Sequence, residues 1–90
     1  MYKKMIKDIL LRHVPEDARV FVFGSSLKSD DFADIDVGIK GGRLNKVQLI
    51  KAEEELEEAY IPYKVDLVNF NEVDKKFENA VFKNKVLWLI

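Results

Sequence analysis

The chain has 90 residues, 48% of them hydrophobic, which predicts a single domain over residues 1–90 with a core of its own. It contains no cysteine, which excludes disulfides, zinc–thiolate sites and thiol nucleophiles. With 15 basic and 16 acidic residues its net charge is -1, which argues against an extensive nucleic-acid surface.

No segment of the sequence predicts a membrane anchor. The apolar runs fall well short of the ~20 residues that span a bilayer. The opening MYKKMIKDILLRH is basic but amphipathic, and it lacks the continuous apolar stretch and small-residue cleavage site of a signal peptide. We therefore expect a cytoplasmic protein without a membrane partner.

The first half of the chain predicts one helix followed by two strands. Apolar residues recur at helical spacing over residues 1–13, and Pro15 ends that pattern. Residues 20–23 are all apolar, which is typical of a strand covered on both faces. After a polar loop, residues 34–39 alternate strictly, with branched apolar side chains on one face and Asp34 and Asp36 on the other.

The second half predicts a helix, a strand and a last helix. The long helix spans residues 44–60 and is closed by Pro62. A third strand follows over residues 63–70, and Asn71 is the expected N-cap of a helix that begins near Glu72. The tail KVLWLI is expected to be extended and packed, or else to continue the helix. This order predicts an α/β (α+β) fold with helices packed on a short mixed sheet.

Asp34 and Asp36 are the first candidate site residues. Side chains two apart on a strand point the same way, so these carboxylates repel each other unless solvent or a cation lies between them. Mg²⁺ prefers oxygen ligands, and two carboxylates on one strand face suit one such ion or a pair of ions. On its own, the pair is more simply explained as the solvated face of an amphipathic strand.

Two further features favour a site. Gly24-Ser25-Ser26 ends a buried strand, where glycine lets the backbone approach a ligand and the following N–H groups and hydroxyls suit phosphate oxygens. The same residues also form ordinary turns. Asp66 lies in the middle of the apolar third strand. If that strand lies beside residues 34–39, three carboxylates converge on one cleft; a solvated edge strand is the alternative.

Together these motifs, FGSS…ADIDVGI and the later VDLV, resemble the minimal nucleotidyltransferase domain of the DNA polymerase β superfamily. The resemblance covers nearly the whole chain. It is particularly similar to the small proteins encoded beside HEPN-domain partners, where the two form a toxin–antitoxin pair.

The resemblance implies a role for each motif residue. Gly24 and Ser25 would grip the β- and γ-phosphates of a nucleoside triphosphate, with Ser26 and Lys28 in the same binding loop. The metal ligands and catalytic residues would be the three acids: Asp34 and Asp36 for Mg²⁺, and Asp66 for a second ion and for deprotonating an acceptor hydroxyl. Family members commonly carry an arginine after Gly-Ser, whereas this chain has Ser26-Leu27-Lys28. Lys28 either supplies that charge or is a solvated loop lysine.

The implied function is transfer of a nucleoside monophosphate, AMP from ATP or the equivalent from another triphosphate, to a hydroxyl. A chain this short has little room for an acceptor site, so the expected acceptor is a partner protein, such as a tyrosine of a HEPN toxin. The chain would then act as the antitoxin. One alternative is a catalytically weak binding module that neutralises its partner by complex formation. Another is a catalytic subunit whose partner presents a small molecule or nucleic acid.

The remaining distinctive residues have simpler explanations. His13 lies at a helix end, where an imidazolium favours the helix dipole. The acidic run over residues 53–58 predicts a solvated helix face, or a surface for a basic partner. Trp88 fits either the core or a subunit interface, which leaves a homo- or hetero-oligomer open.

Overall fold

The described part of the chain forms three helices packed on a four-stranded sheet. In a computed structural model, the structure describes residues 2–24, 34–59 and 61–90. The elements in chain order are α1 Tyr2–Leu11, β1 Arg19–Phe23, β2 Asp34–Lys40, α2 Lys46–Glu58, β3 Lys64–Asn69, α3 Lys75–Lys83 and β4 Leu87–Trp88.

The sheet is mixed, with strand order β3-β2-β1-β4. β1 pairs antiparallel with β2 and with β4, whereas β2 and β3 run parallel. The connection between these parallel strands passes through α2, as parallel pairing requires. The predicted α+β fold with a short mixed sheet is confirmed.

Each face of the sheet carries its own apolar core. Alternate residues of β1 point to opposite faces, so Val20 and Val22 enter one core while Phe21 and Phe23 enter the other. The first core also takes the buried residues of α1 and α2, and the second takes Val81 and other apolar residues on and around α3. The prediction that residues 20–23 form a strand covered on both faces is therefore confirmed.

α2 is shorter than predicted, because a side-chain cap fixes its start. Asn45 Oδ1 accepts a hydrogen bond from the backbone N–H of Gln48 at 2.8 Å, and Gln48 Oε1 accepts one from the Asn45 N–H at 2.9 Å. This reciprocal capping box satisfies two N–H groups that have no partner inside the helix. The helix then ends at Glu58.

The predicted start of α3 is wrong. Asn71 is not a cap: its amide exchanges hydrogen bonds with the backbone of Gly41, accepting at 2.9 Å and donating at 3.2 Å. Asp74 takes the cap instead, accepting from the Phe77 N–H at 2.7 Å, and α3 begins at Lys75. Asn and Asp are about equally good N-caps, so a contact remote in sequence decided between them.

The tail is extended and packed, which confirms one of the two alternatives predicted for it. Leu87 and Trp88 pair with Val22 and Phe21 as β4. The Trp88 ring packs 5.0 Å from the ring of Phe21 and remains 42% exposed, so it belongs in part to the core. Across the three described segments, no helix is long and apolar enough to cross a membrane.

Candidate active site

The pairing of β2 with β3 brings the three predicted acids together. Asp36 and Asp66 are partners in the parallel register, and Asp34 is the partner of Lys64 two residues earlier on the same pair of strands. Adjacent strands lie about 4.8 Å apart, and residues i and i+2 point to one face, so all three carboxylates share one corner of the sheet. The prediction that the third strand lies beside the second is confirmed.

The acids lie on the face of the sheet that α3 covers. Phe23 is the partner of Asp36, and Phe21 is the partner of Gly38, in the antiparallel register of β1 and β2. Partnered side chains share a face, and both phenylalanines belong to the core around α3. Asp36 thus lies at the border of the aromatic core, where it is half-buried, while Asp34 is exposed.

The carboxylates perturb one another. Burial raises the pKa of the Asp36 carboxyl above its ordinary value of 3.8, and the negative charges of Asp66 and then Asp34 raise it further. Among the described residues, the cation that meets this cluster is Lys64, whose Nζ lies 3.6 Å from Asp66 Oδ1. Lys64 is 74% exposed, so water screens most of this pairing. The cluster therefore favours a further cation.

Gly24 forms one wall of the acid cluster. It has a φ of +85°, a conformation that a residue with a side chain rarely adopts. A Cβ atom at this position would lie 2.6 Å from Asp36 Oδ2. Glycine thus lets the backbone at the end of β1 lie directly against the Asp36 carboxylate, so the predicted phosphate-binding turn starts beside the predicted metal ligands.

The other predicted loop residues, Ser25, Ser26 and Lys28, lie outside the described residues. The three predicted metal ligands, in contrast, all lie within the described residues. In residues 2–24, 34–59 and 61–90, no three acidic, histidine or cysteine side chains are close enough to form a ready-made metal-ion cluster. The donor set nevertheless fits Mg²⁺, since three carboxylates share one corner and Asp36 is destabilised in its charged form. Asp34, Asp36 and Asp66 would hold the ion.

A cleft of about 560 Å³ opens beside the third acid. It runs between the end of α2 and β3, the edge strand of the sheet. Its lining residues are Glu53, Leu56, Glu57, Ile61, Pro62, Tyr63, Lys64, Val65, Asp66 and Leu67. Asp66 thus borders both the acid cluster and, at the sheet edge, a space large enough for part of a second molecule.

Two features of this corner were not predicted from the sequence. They are the ion pair of Lys64 with Asp66 and the close approach of Gly24 to Asp36. The position of Lys64 two residues before Asp66 was the available signal, because both side chains lie on one strand face.

His13 lies away from this corner. Its Nε2 is 2.8 Å from Glu55 Oε1, and Arg12 pairs with the other oxygen of Glu55. Part of the acidic run on α2 therefore holds α1 and is not free for a partner.

The sequence matches the family described as "Polymerase beta, Nucleotidyltransferase" over residues 4–89. The chain belongs to this family. It is thus a nucleotidyltransferase domain, and the corner that holds the three acids is where the sequence resemblance places the chemistry of the family. No curated protein matches the sequence.

Among solved structures, the nucleotidyltransferase domain is similar to chains of toxin–antitoxin complexes. One chain of a toxin–antitoxin crystal structure with AMP-PNP superposes with a TM-score of 0.81 at 19% identity, over 100% of this chain and 73% of that chain. A chain of a mutant MntA-HpeT toxin–antitoxin gives 0.80 at 18% identity, with the same coverage. A chain from the tri-AMPylated Shewanella oneidensis HEPN toxin in complex with MNT antitoxin gives 0.65 at 15%, over 98% and 71%. At these identities the likeness establishes a common fold.

Proposed function

We propose that this nucleotidyltransferase is an antitoxin that transfers AMP from ATP, with Mg²⁺, to a hydroxyl of a cytoplasmic HEPN-domain partner. The observation that carries the proposal is the convergence of Asp34, Asp36 and Asp66 at one corner of the sheet, against the backbone of Gly24. Three hard oxygen donors beside a glycine turn suit a metal–triphosphate substrate better than any other ligand class.

Each residue has a separable task in this proposal. Asp34 and Asp36 would hold Mg²⁺, which would neutralise the triphosphate and favour in-line attack of the acceptor oxygen on the α-phosphorus, with pyrophosphate as the leaving group. Asp66 accepts the proton of the acceptor hydroxyl, because it borders the open cleft as well as the acid cluster. Gly24 keeps the start of the phosphate-binding turn within reach of Asp36.

The comparisons support a protein acceptor. One similar chain comes from a complex with AMP-PNP, and another comes from a complex whose HEPN toxin is tri-AMPylated. In the present chain, the cleft beside Asp66 is the natural place for an acceptor side chain, since it is open along the edge strand β3. Modification of the partner would then neutralise it.

A second candidate function is neutralisation by binding alone. The similar structures are complexes, which favours a stable partner interface whether or not transfer occurs. In this case the acids would be dispensable, and covering the partner would suffice. The two functions differ in their dependence on Asp36.

The test uses ATP and, in parallel, the other three nucleoside triphosphates, each labelled at its α-phosphate, with Mg²⁺, the 90-residue chain and a HEPN protein encoded beside it. Wild type, Asp36→Asn and a control, Asp8→Asn on the exposed side of α1, are compared. The proposal requires label on the HEPN protein with wild type and the control, and at least a hundredfold less with Asp36→Asn. Label at equal rates with all three would refute the assigned site. No label with any of the four nucleotides, together with capture and neutralisation of the toxin, would support binding alone.

A further inference from the structure

The outer edge of β3 is open along the cleft of about 560 Å³ beside Asp66. β3 is an end strand of the sheet, with β2 as its neighbour in the strand order. Consecutive residues of β3 from Lys64 to Leu67 line the cleft, although alternate side chains of a strand point to opposite faces. The cleft therefore runs along the edge of the strand and not over one face of the sheet.

The backbone groups of Val65 and Leu67 face this open edge. The Phe70 N–H donates to the Ile39 carbonyl at 2.8 Å, so the backbone of Phe70 points toward β2. Successive residues of a strand direct their N–H and C=O groups to alternate sides, so Asp66 also points toward β2, whereas Val65 and Leu67 point away. In the described part of the chain, no backbone hydrogen bond from another element reaches Val65 or Leu67. Such a row of free donors and acceptors is a template for a further strand.

The charged side chains around the cleft favour a basic occupant. Glu53 and Glu57 lie one helical turn apart on α2 and line the cleft together with Asp66 and Lys64. Lys64 pairs with Asp66, and across residues 2–24, 34–59 and 61–90 no ion pair engages Glu53 or Glu57. Two like charges four residues apart destabilise a helix, and a cation bound between them relieves that repulsion.

The apolar residues of the cleft suit the stems of lysine and arginine. Leu56, Val65 and Leu67 line it and pack in the core on the α2 side of the sheet. Lysine and arginine lay their methylene groups on such a surface while the charged end reaches an acid at its rim. A second copy of this chain suits the edge less well, because pairing of two β3 strands brings one set of acids against another.

We propose that an extended basic segment of the partner protein adds to β3 as a further strand, with its acceptor hydroxyl residue opposite Asp66. This inference rests on the proposed function, because it specifies how the acceptor is held. A residue paired with Asp66 shares the face of Asp66, whereas its two neighbours point toward α2. The segment is therefore expected to carry lysine or arginine on both sides of the hydroxyl residue, where they meet Glu53 and Glu57.

The site of binding is tested by NMR titration of the isotope-labelled chain with the synthetic peptide Lys-Ala-Lys-Tyr-Lys-Ala-Lys, in the absence of nucleotide. We expect the largest changes in chemical shift at the amides of Val65 and Leu67, because their N–H groups would donate to the peptide. Shifts confined to other elements would refute the assigned edge. Shifts at these amides that grow with chain concentration, without peptide, would place a second copy on the edge and overturn the proposal.

The role of charge is tested with two double variants of α2. One carries Glu53→Gln and Glu57→Gln. The matched control carries Glu54→Gln and Glu58→Gln, which removes two exposed acids at the same spacing that do not line the cleft. Loss of two exposed ion pairs corresponds to a dissociation constant about 2- to 30-fold higher. We expect this increase for the cleft variant, and wild-type affinity for the control.

Two kinds of altered peptide separate strand addition from charge attraction alone. A peptide with glutamate in place of each lysine should not bind. N-methylation of alternate amides removes the donors from one edge of the peptide, so one of the two alternate methylation patterns should abolish binding and the other should leave it unchanged. Equal effects of the two patterns would refute strand addition.

Transfer of label to the HEPN protein, measured in parallel, separates this inference from the proposed function. If wild type labels the HEPN protein but does not bind the peptide, or binds it no better than the cleft variant does, the docking site is refuted and the proposed function stands. If the peptide binds at Val65 and Leu67 and no HEPN protein is labelled, the docking site is supported and the proposed transfer fails.

Discussion

Replacing Asp36 with Asn should stabilise the protein in the absence of metal while removing its transfer activity. The substitution keeps the size of the side chain but removes a charge that faces two others of the same sign. Because burial and both neighbouring carboxylates raise the pKa of Asp36, its ionised form destabilises the fold at neutral pH. A gain in stability at the predicted centre of the site is the signature of a site built for a cation.

The size of the effect follows from the register. Asp66 is the direct partner of Asp36 on the neighbouring strand, about 5 Å away, and Asp34 is two residues along the same strand, about 6.5 Å away. With water-like screening, Coulomb repulsion is about 0.8 and 0.6 kcal/mol for the two pairs, and salt reduces the sum to about 1 kcal/mol. For a domain of this size, such a gain raises the Tm by about 4–8 °C.

The pH dependence has a definite sign. A carboxyl whose pKa is raised on folding binds its proton more tightly in the folded state, so the destabilising effect of the Asp36 carboxyl in wild type is relieved as the pH falls. Asp36→Asn lacks this titration. The stability advantage of the variant should therefore be full at pH 7 and shrink as the pH falls toward the ordinary value of 3.8.

The assay is thermal unfolding of wild type, Asp36→Asn and Asp8→Asn, in EDTA and in Mg²⁺. Magnesium at ten times its dissociation constant would stabilise wild type by about 1.4 kcal/mol, and it should stabilise Asp36→Asn far less. The exposed control should follow wild type within about 0.5 kcal/mol. A lower Tm for Asp36→Asn in EDTA, or equal responses of wild type and Asp36→Asn to Mg²⁺, would refute the electrostatic reasoning.

Three further substitutions test packing at two glycines and one ion-pair cluster between α1 and α2. Gly24→Ala should cost about 1–2 kcal/mol in backbone strain and reduce transfer much further, because its Cβ would displace the Asp36 carboxylate; Tm and transfer rate measured together would show both. Gly38→Ala should lower stability to urea by about 1–3 kcal/mol, since its Cβ would lie 2.3 Å from Phe21 Cζ; an unchanged midpoint would contradict the packing. Glu55→Gln should cost less than about 1 kcal/mol, and the loss should disappear in high salt, because its pairs are partly exposed.

Much of the fold could be predicted because its signals are local. Strict alternation placed Asp34 and Asp36 on one strand face, and a continuous apolar run marked β1 as covered on both sides. Helical spacing and Pro15 located α1. Each of these patterns extends over a few neighbouring residues, and the side-chain periods of helix and strand translate it directly into structure.

Boundaries that depend on competing caps could not be predicted in this way. Asn71 and Asp74 are similar N-cap residues three positions apart, and either could start the last helix. The structure uses Asp74 because the amide of Asn71 is bound to Gly41, thirty residues earlier in the chain. No local pattern in the sequence contains that contact.

Local patterns in the sequence indicate a glycine turn, an acidic pair on one strand face and a third acid on a later strand. Strand pairing places the three acids at one corner of the sheet, and no local pattern contains that pairing. The parallel register sets Asp66 directly opposite Asp36, and a shift of one residue would have sent Asp66 to the opposite face of the sheet. Strand pairing joins residues far apart in sequence, and the burial of both sheet faces selects the register. The residues of the site can therefore be recognised from short sequence patterns, whereas their arrangement in space cannot.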